Sequence, residues 1–309
     1  MASSQNALLY KIRRFILNQL KWNIGLLYLL CGAPGSKRKL FAFVFHEVGD
    51  EPRGHARLTG TYSTKNIFLK QISLLSDYFD FIDPSKDPLW VNKPGCLITF
   101  DDGYKGSLEA AMILETQKIA SIHLVNLKTI NGEINSSALI HFSCVEFSKE
   151  LNWKDSTPKN VEILSARLTE PELTRAFEFS GPYLDPTEFK ALSSLTYTVV
   201  GDHFLNHWYG NSLTNEEIIE NLSLDTKDLM RVEEMRPYFA APHGKLDNLR
   251  IEQVCAQDYE VVFAGSSWMK VGSTHVIPRI DLNNSIKSKF SLFGAIAILV
   301  LKSKIKFRS

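Results

Sequence analysis

Apolar residues fall in distinct rhythms along this chain. Near the N-terminus Leu9, Ile12, Ile16, Leu20, Ile24 and Leu27 recur every three or four positions, the spacing of one face of a helix. From Leu40 the rhythm becomes an unbroken run, Leu40-Phe41-Ala42-Phe43-Val44-Phe45, which stops at His46. Such a run, bounded by polar residues, predicts a strand buried on both faces. A second run at 96–100 ends in Asp101-Asp102-Gly103. Between them Ser63-Thr64-Lys65-Asn66 introduces Ile67, Leu69, Ile72, Leu74 and Leu75, which predicts a helix with a Ser or Thr cap. A helix over 108–117 and a strand over 121–127 continue the series. Alternating strand and helix imply parallel strands joined by crossovers.

Residues 131–182 show no sustained period and contain Trp153, Lys154, Asp155 and Pro158, so they read as an insertion with one or two helices. The alternation then resumes. Helices are expected over 186–193, over 215–222 after Thr214, and over 248–257. Strands are expected over 195–200, 238–241 and 261–264. Residues 292–301 are apolar and are followed by Lys302, Lys304, Lys306 and Arg308. They predict a terminal helix closing the domain, in preference to a membrane anchor.

The first residues raise the question of a membrane segment. Asn18, Gln19, Lys21 and Asn23 interrupt the apolar pattern, leaving 24–31 as the longest run. That is well short of the ~20 residues needed to cross a bilayer, and a secretion signal is not expected. The expectation is an amphipathic helical segment over 1–38, which either packs on its own domain or lies on a membrane surface. One domain follows over 39–309.

Charge and cysteine content narrow the classes. Lys plus Arg number 35 against 34 Asp plus Glu, so no global field favours nucleic acid as a partner. Cys31, Cys96, Cys144 and Cys255 lie far apart with no CxxC pair, which argues against a zinc ribbon or a dense disulfide framework. A reducing compartment is the simpler reading, so the protein is expected in the cytoplasm, peripheral at the inner face of the membrane if the first helix docks there, with secretion as the open alternative. Oligomeric state is not readable.

Polar residues with chemical potential fall just after predicted strands: His46, Asp101-Asp102, Asp202-His203 and Pro242-His243. In a barrel of parallel strands all strand C-termini open on one face, where separated positions converge. Adjacent carboxylates at a strand end repel unless a cation or a proton is shared between them; an Asp-Asp-Gly turn is the plainer alternative. His203 and His207, four apart, would face the same way on a helical turn, as in many zinc sites, or would simply open a helix. One carboxylate with two histidines makes a three-ligand set that leaves room for water, the pattern of catalytic zinc.

These segments resemble a known family. Leu97-Ile98-Thr99-Phe100-Asp101-Asp102-Gly103-Tyr104 is similar to the first motif of the polysaccharide deacetylases, the NodB-homology or carbohydrate esterase family 4 group. The stretch from Val200 through Asp202-His203 to His207 is similar to the second, and Phe239-Ala240-Ala241-Pro242-His243-Gly244-Lys245 to the third. Phe45-His46-Glu47-Val48 resembles the opening motif of the poly-N-acetylglucosamine deacetylase branch. Order and spacing match over about residues 40 to 282. The resemblance implies an α/β fold, a distorted (β/α) barrel of about seven parallel strands with a divalent metal, often zinc, at their C-terminal face. It implies Asp102, His203 and His207 as metal ligands and Asp101 as the base that takes a proton from the attacking water. The backbone N–H of His243 would help hold the oxyanion.

The departures from the family pattern are specific. Ala240 and Ala241 stand where many members carry an arginine that orients the catalytic aspartate, and Arg279 is the expected replacement. His243 replaces a tyrosine. The acid that protonates the leaving amine is expected to be His46, with His275 second. His55 in a loop, His123 in a strand and His141 in the insertion are expected to be structural or exposed. The function implied is metal-dependent removal of N-acetyl groups from a sugar, polysaccharide or glycan precursor. The alternatives are a weakened carbohydrate-binding homologue and an amidohydrolase on another small amide, such as a formamide.

Overall fold

The computed structural model describes residues 2–33, 40–52, 54–86, 94–147, 153–222 and 235–306. The first strands are β1 (Leu40–Phe45), β2 (Glu47–Val48), β3 (Tyr62–Ser63), β4 (Asp80–Phe81), β5 (Gly95–Asp102) and β6 (Ser121–Val125). They are followed by β7 (Thr198–Asp202), β8 (Met235–Ala240), β9 (Val261–Phe263), β10 (Met269–Val271), β11 (Thr274–Val276) and β12 (Arg279–Asp281). Helices up to the insertion are α1 (Ala2–Leu30), α2 (Gly54–Thr59), α3 (Lys65–Ser76), α4 (Lys105–Thr116) and α5 (Leu127–Ile130). Then come α6 (Ser136–Phe147), α7 (Pro158–Ser165), α8 (Glu170–Ser180) and α9 (Pro186–Ser193). The last are α10 (Asn215–Glu220), α11 (Asn248–Cys255) and α12 (Lys289–Lys306).

Ten strands form one curled sheet in the order β10-β11-β9-β8-β7-β6-β5-β1-β12, with β4 beside the start of β5. Every pairing is parallel except β10 with β11. Among the described residues β10 and β12 do not pair with each other, so the barrel stays open. The sequence expectation of about seven parallel strands holds in architecture. The additional members, such as β4, β11 and β12, are two or three residues long, too short to carry a readable period.

The apolar run of β1 is explained by its two faces. Phe41, Phe43 and Phe45 join Phe68, Ile72 and Leu75 of α3 and Leu292, Phe293 and Ile296 of α12 in an outer layer. Leu40 and Ala42 join Leu97, Leu124, Tyr238, Ala240 and Phe263 inside the barrel. A strand sandwiched in this way has no polar face. The caps read from sequence form: the Thr64 hydroxyl accepts from the Ile67 N–H at 3.3 Å, and Thr214 makes a reciprocal capping box with Glu217. The strand expected at 195–200 begins later, at Thr198, because Leu195 packs in the α4–α9 layer as part of the turn leaving α9.

The described residues of the segment 131–182 fold as α6, α7 and α8, more than the one or two helices expected, around a small core of their own, built on Leu139, Ile140, Phe142, Leu164 and Ala176. At the C-terminus α12 covers the barrel with Leu292, Ile296 and Val300, as the terminal-helix reading expects. α1 lies along α12. Of its periodic apolar stripe, Ile16, Leu20 and Leu27 are exposed and do not pack on the domain, whereas Gly25 is buried and Tyr28 and Leu29 pack on the core.

Candidate metal centre and active site

Asp101 and Asp102 are the last two residues of β5 and are only 3% and 4% exposed. Strand alternation would send them to opposite faces. Asp102 instead adopts φ 71°, followed by Gly103 at φ 74°, and the turn brings both carboxylates to one opening. His203 Nε2 lies 3.2 Å from Asp102 Oδ1 and 3.8 Å from Asp101 Oδ2, and His207 Nε2 lies 3.0 Å from Asp102 Oδ1. Ligand atoms of Asp102, His203 and His207 all fall within 4.8 Å of one another.

The two histidines converge by a different route from the helical turn expected in the sequence. After β7 the chain turns through Phe204 at φ 57° and His207 at φ 50°, placing the ring centroids 5.0 Å apart. Non-glycine residues held in the left-handed region are characteristic of strained functional sites. Tertiary bonds hold this turn. Asn126 donates its amide to the carbonyls of His203 and Phe204, and Ser136 donates to the carbonyls of Asn206 and His207.

Each imidazole is oriented from behind. His203 Nδ1 meets the Ala240 carbonyl at 2.8 Å, and His207 Nδ1 meets the Ser137 hydroxyl at 2.9 Å. The carbonyl can only accept, so Nδ1 of His203 carries a hydrogen, and in the neutral ring Nε2 presents its lone pair toward Asp102. Asp102 Oδ1 is buried without a hydrogen-bond partner. Converging lone pairs around a buried oxygen repel unless a cation sits among them, so these residues fit a divalent metal with supported ligands.

Asp101 is held differently. Arg279 on β12 grips it with both ends of its guanidinium, Nη1 to Oδ1 at 2.5 Å and Nη2 to Oδ2 at 2.6 Å. Burial alone would raise the Asp101 pKa, but Arg279 and then His203 outweigh it and keep the carboxyl below its ordinary value. The structure thus places the late arginine on the aspartate that the third motif's arginine would have served. Arg279 also lies over the Phe263 ring, 5.7 Å from its centroid.

The other expected residues divide. His46 follows β1, is half-buried, and lies close enough for its charge to depress both aspartates. His243 sits at φ 58° in the turn after β8, with its ring 4.8 Å from that of His207 and Nε2 3.0 Å from Ser137 Oγ. Burial, then the neighbouring His207 charge, pushes the His243 pKa well down. His275 stands on β11, opposite Val261 of β9 and Lys270 of β10, and contributes none of the contacts described above for this group. The histidine read as a loop residue, His55, is buried on α2 instead. It bonds to Tyr104 Oη at 3.1 Å and to Nδ1 of half-buried His141 at 2.7 Å. Burial, then the proximity of His141, lowers His55 to about 3, so it is neutral. His123 is buried in β6, stacked on Phe100 at 4.5 Å, as the structural reading expects.

Sequence reasoning missed Ser137, which touches both His207 and His243, and the linked Tyr104, His55 and His141. Serine in an aperiodic insertion carries no local signal; only the tertiary fold of α6 reveals it. Beside Tyr104 a cavity of about 230 Å³ is lined by Glu47, Glu51, Ala56, Gly181 and Pro182. Burial raises the Glu47 carboxyl to about 7 against the pull of the Gly106 N–H. A larger groove of about 460 Å³, between α3 and residues 286–287, contains none of these groups.

No protein-family model and no curated protein matches the chain by sequence. Solved structures do match. A polysaccharide deacetylase from Bacillus cereus shares 14% identity at a TM-score of 0.55, over 84% of this chain and 69% of that one. IcaB from Ammonifex degensii shares 17% at 0.53, over 84% and 97%. A de-N-acetylase from Aggregatibacter actinomycetemcomitans shares 11% at 0.52, over 82% and 99%. The chain therefore has the polysaccharide-deacetylase fold that its motifs resemble.

Proposed function

We propose that this protein is a metal-dependent hydrolase that removes N-acetyl groups from an N-acetylated sugar, polysaccharide or glycan precursor. The observation that carries the reading is the division between adjacent carboxylates: Asp102 faces two imidazoles, and Asp101 beside it is clamped by Arg279. The structural likeness to polysaccharide deacetylases and the order of the motifs support the same reaction class.

Asp102, His203 and His207 would hold the metal, and one carboxylate with two imidazoles is a donor set suited to zinc. A divalent cation there supplies a Lewis acid for an amide carbonyl and for water. Asp101, kept ionised by Arg279, accepts the proton of the attacking water. The N–H of His243, presented by its left-handed turn, is the candidate donor to the oxygen that gains charge as water adds. The amine departs only if protonated, and His46, beside both aspartates at the end of β1, is the candidate donor.

Metal analysis of the purified protein, combined with acetate release from N-acetylated oligosaccharides, tests this reading. One divalent ion per chain and acetate release are expected. Full metal retention in a His203→Ala, His207→Ala double variant would remove the ligand assignment. Metal binding without acetate release would leave only a carbohydrate-binding homologue.

A further inference from the structure

The hairpin formed by α1 and α12 has a face that nothing among the described residues covers. The helices run antiparallel in close contact: a Cβ added at Gly25 would lie 1.8 Å from the Phe290 carbonyl oxygen, and one at Gly294 would lie 1.9 Å from that of Lys21. Moving four residues back along α1 thus moves four forward along α12. Trp22 and Phe290 seal the contact, their centroids 4.7 Å apart. With the Gly25 face committed to α12, the opposite side carries Ile16, Leu20, Leu27 and Leu30, exposed by 51%, 50%, 62% and 74%. These are large aliphatic side chains at helical spacing, turned to solvent.

The charges on the hairpin are one-sided. Within α1 and α12 there is no Asp or Glu, whereas Lys11, Arg13, Arg14, Lys21, Lys289, Lys302, Lys304 and Lys306 are basic. Arg13, Lys289, Lys302 and Lys304 are exposed. The antiparallel register brings the basic end of α12 toward the Arg13 end of α1. In a chain whose 35 basic and 34 acidic residues nearly cancel as a whole, this is a local concentration of positive potential bordering an apolar stripe. No described helix is long and apolar enough to cross a membrane. An aliphatic stripe flanked by bases, with no acids, matches a helix lying in the plane of an anionic bilayer surface.

We propose that the α1–α12 hairpin docks this protein on an anionic lipid surface, with Ile16, Leu20, Leu27 and Leu30 entering the headgroup region and Arg13, Lys302 and Lys304 facing the lipid phosphates. The acid-free charge selects lipid over a second copy of the chain, because two such faces would repel. It also places the protein beside glycans built or carried at a membrane.

The experiment is co-sedimentation of the full chain with vesicles of phosphatidylcholine alone or containing phosphatidylglycerol. Expected is binding to the anionic vesicles at least tenfold tighter than to the neutral ones, weakened by salt. A Leu20→Ser, Leu27→Ser, Leu30→Ser variant changes only exposed residues, so it should fold and lose that binding. Lys302→Glu, Lys304→Glu should weaken it by roughly fivefold per reversed side chain or more. Acetate release from a soluble oligosaccharide should be unchanged in both, which separates failure here from failure of the proposed reaction. Equal binding of wild type to both vesicles, or to neither, overturns the proposal. A wild-type dimer that the Leu→Ser variant abolishes, without vesicle binding, would make the face a protein interface instead.

Discussion

The rim of the sheet and the helical hairpin handle exposure in opposite ways. At the rim Asp101, Asp102, His203 and His207 are almost wholly buried, yet each is oriented by a named neighbour: Arg279, two imidazoles, the Ala240 carbonyl and Ser137. In the hairpin Ile16, Leu20, Leu27 and Leu30 are apolar yet exposed, and a glycine contact holds the helices together. Burying charge costs several kcal/mol per ion unless it is paired, and exposing large aliphatic groups also costs free energy. Each region therefore departs from ordinary burial in a direction that has chemical meaning, inward for the proposed reaction and outward for the proposed docking.

The largest effect expected from breaking the rim is on turnover. Asp101→Asn keeps the side-chain shape but removes the base, so acetate release should fall by about 10²–10⁴ with metal content near wild type. Near-normal activity would reduce Asp101 to a turn residue. Arg279→Ala should cost about 3–5 kcal/mol in denaturant unfolding, because it leaves a buried carboxylate without its cation. A loss below 1 kcal/mol would mean that solvent replaces the guanidinium.

The hairpin should fail separately. Gly25→Leu forces a side chain against the Phe290 carbonyl, and α1 should detach at a cost of about 1–3 kcal/mol. Protease sensitivity should rise between residues 13 and 33 while acetate release persists. Loss of turnover in step with α1 would show that the two regions are not independent.

The effect that is smallest at neutral pH, and grows only in acid, concerns protons. Burial lowers His123 to about 3, whereas an unfolded histidine titrates near 6.5. The folded pKa is depressed, so this group's contribution is complete above about 6.5 and is lost as pH falls toward 3, by up to ~1.4 kcal/mol per pH unit. His123→Leu should flatten that part of the stability curve, and the neutral His55 should leave a residual slope. An unchanged curve would mean that His123 takes up its proton without unfolding.

Legibility in the sequence followed the range of the interactions. β1 and β5 were readable because both faces are buried, which makes them continuously apolar, and the polar residues at their ends were readable as a consequence. Arg279 was singled out only because an expected arginine was missing; its grip on Asp101 spans 178 positions of sequence. His203 and His207 do converge beside Asp102, but not on the helical turn that their spacing suggests, since left-handed turns at Phe204 and His207 leave no periodic trace. Ser137 and His55 were unreadable as site residues for the same reason: single positions in short helices acquire partners only through the fold. In α1 the period was visible, but periodicity alone does not say which face meets the protein.

The Ser137 hydroxyl joins two rings while owning a single proton, and this gives the site a polarity. When His207 keeps its hydrogen on Nδ1 and offers Nε2 toward Asp102, Ser137 Oγ must accept at 2.9 Å and is left to donate to His243 Nε2 at 3.0 Å. His243 then carries its own hydrogen on Nδ1. The relay reads in one direction, from the ring beside Asp102 to the ring in the turn after β8. A change of tautomer at His207 would reverse every arrow in it. Ser137→Ala would uncouple the two imidazoles without touching either, and each would choose its tautomer alone.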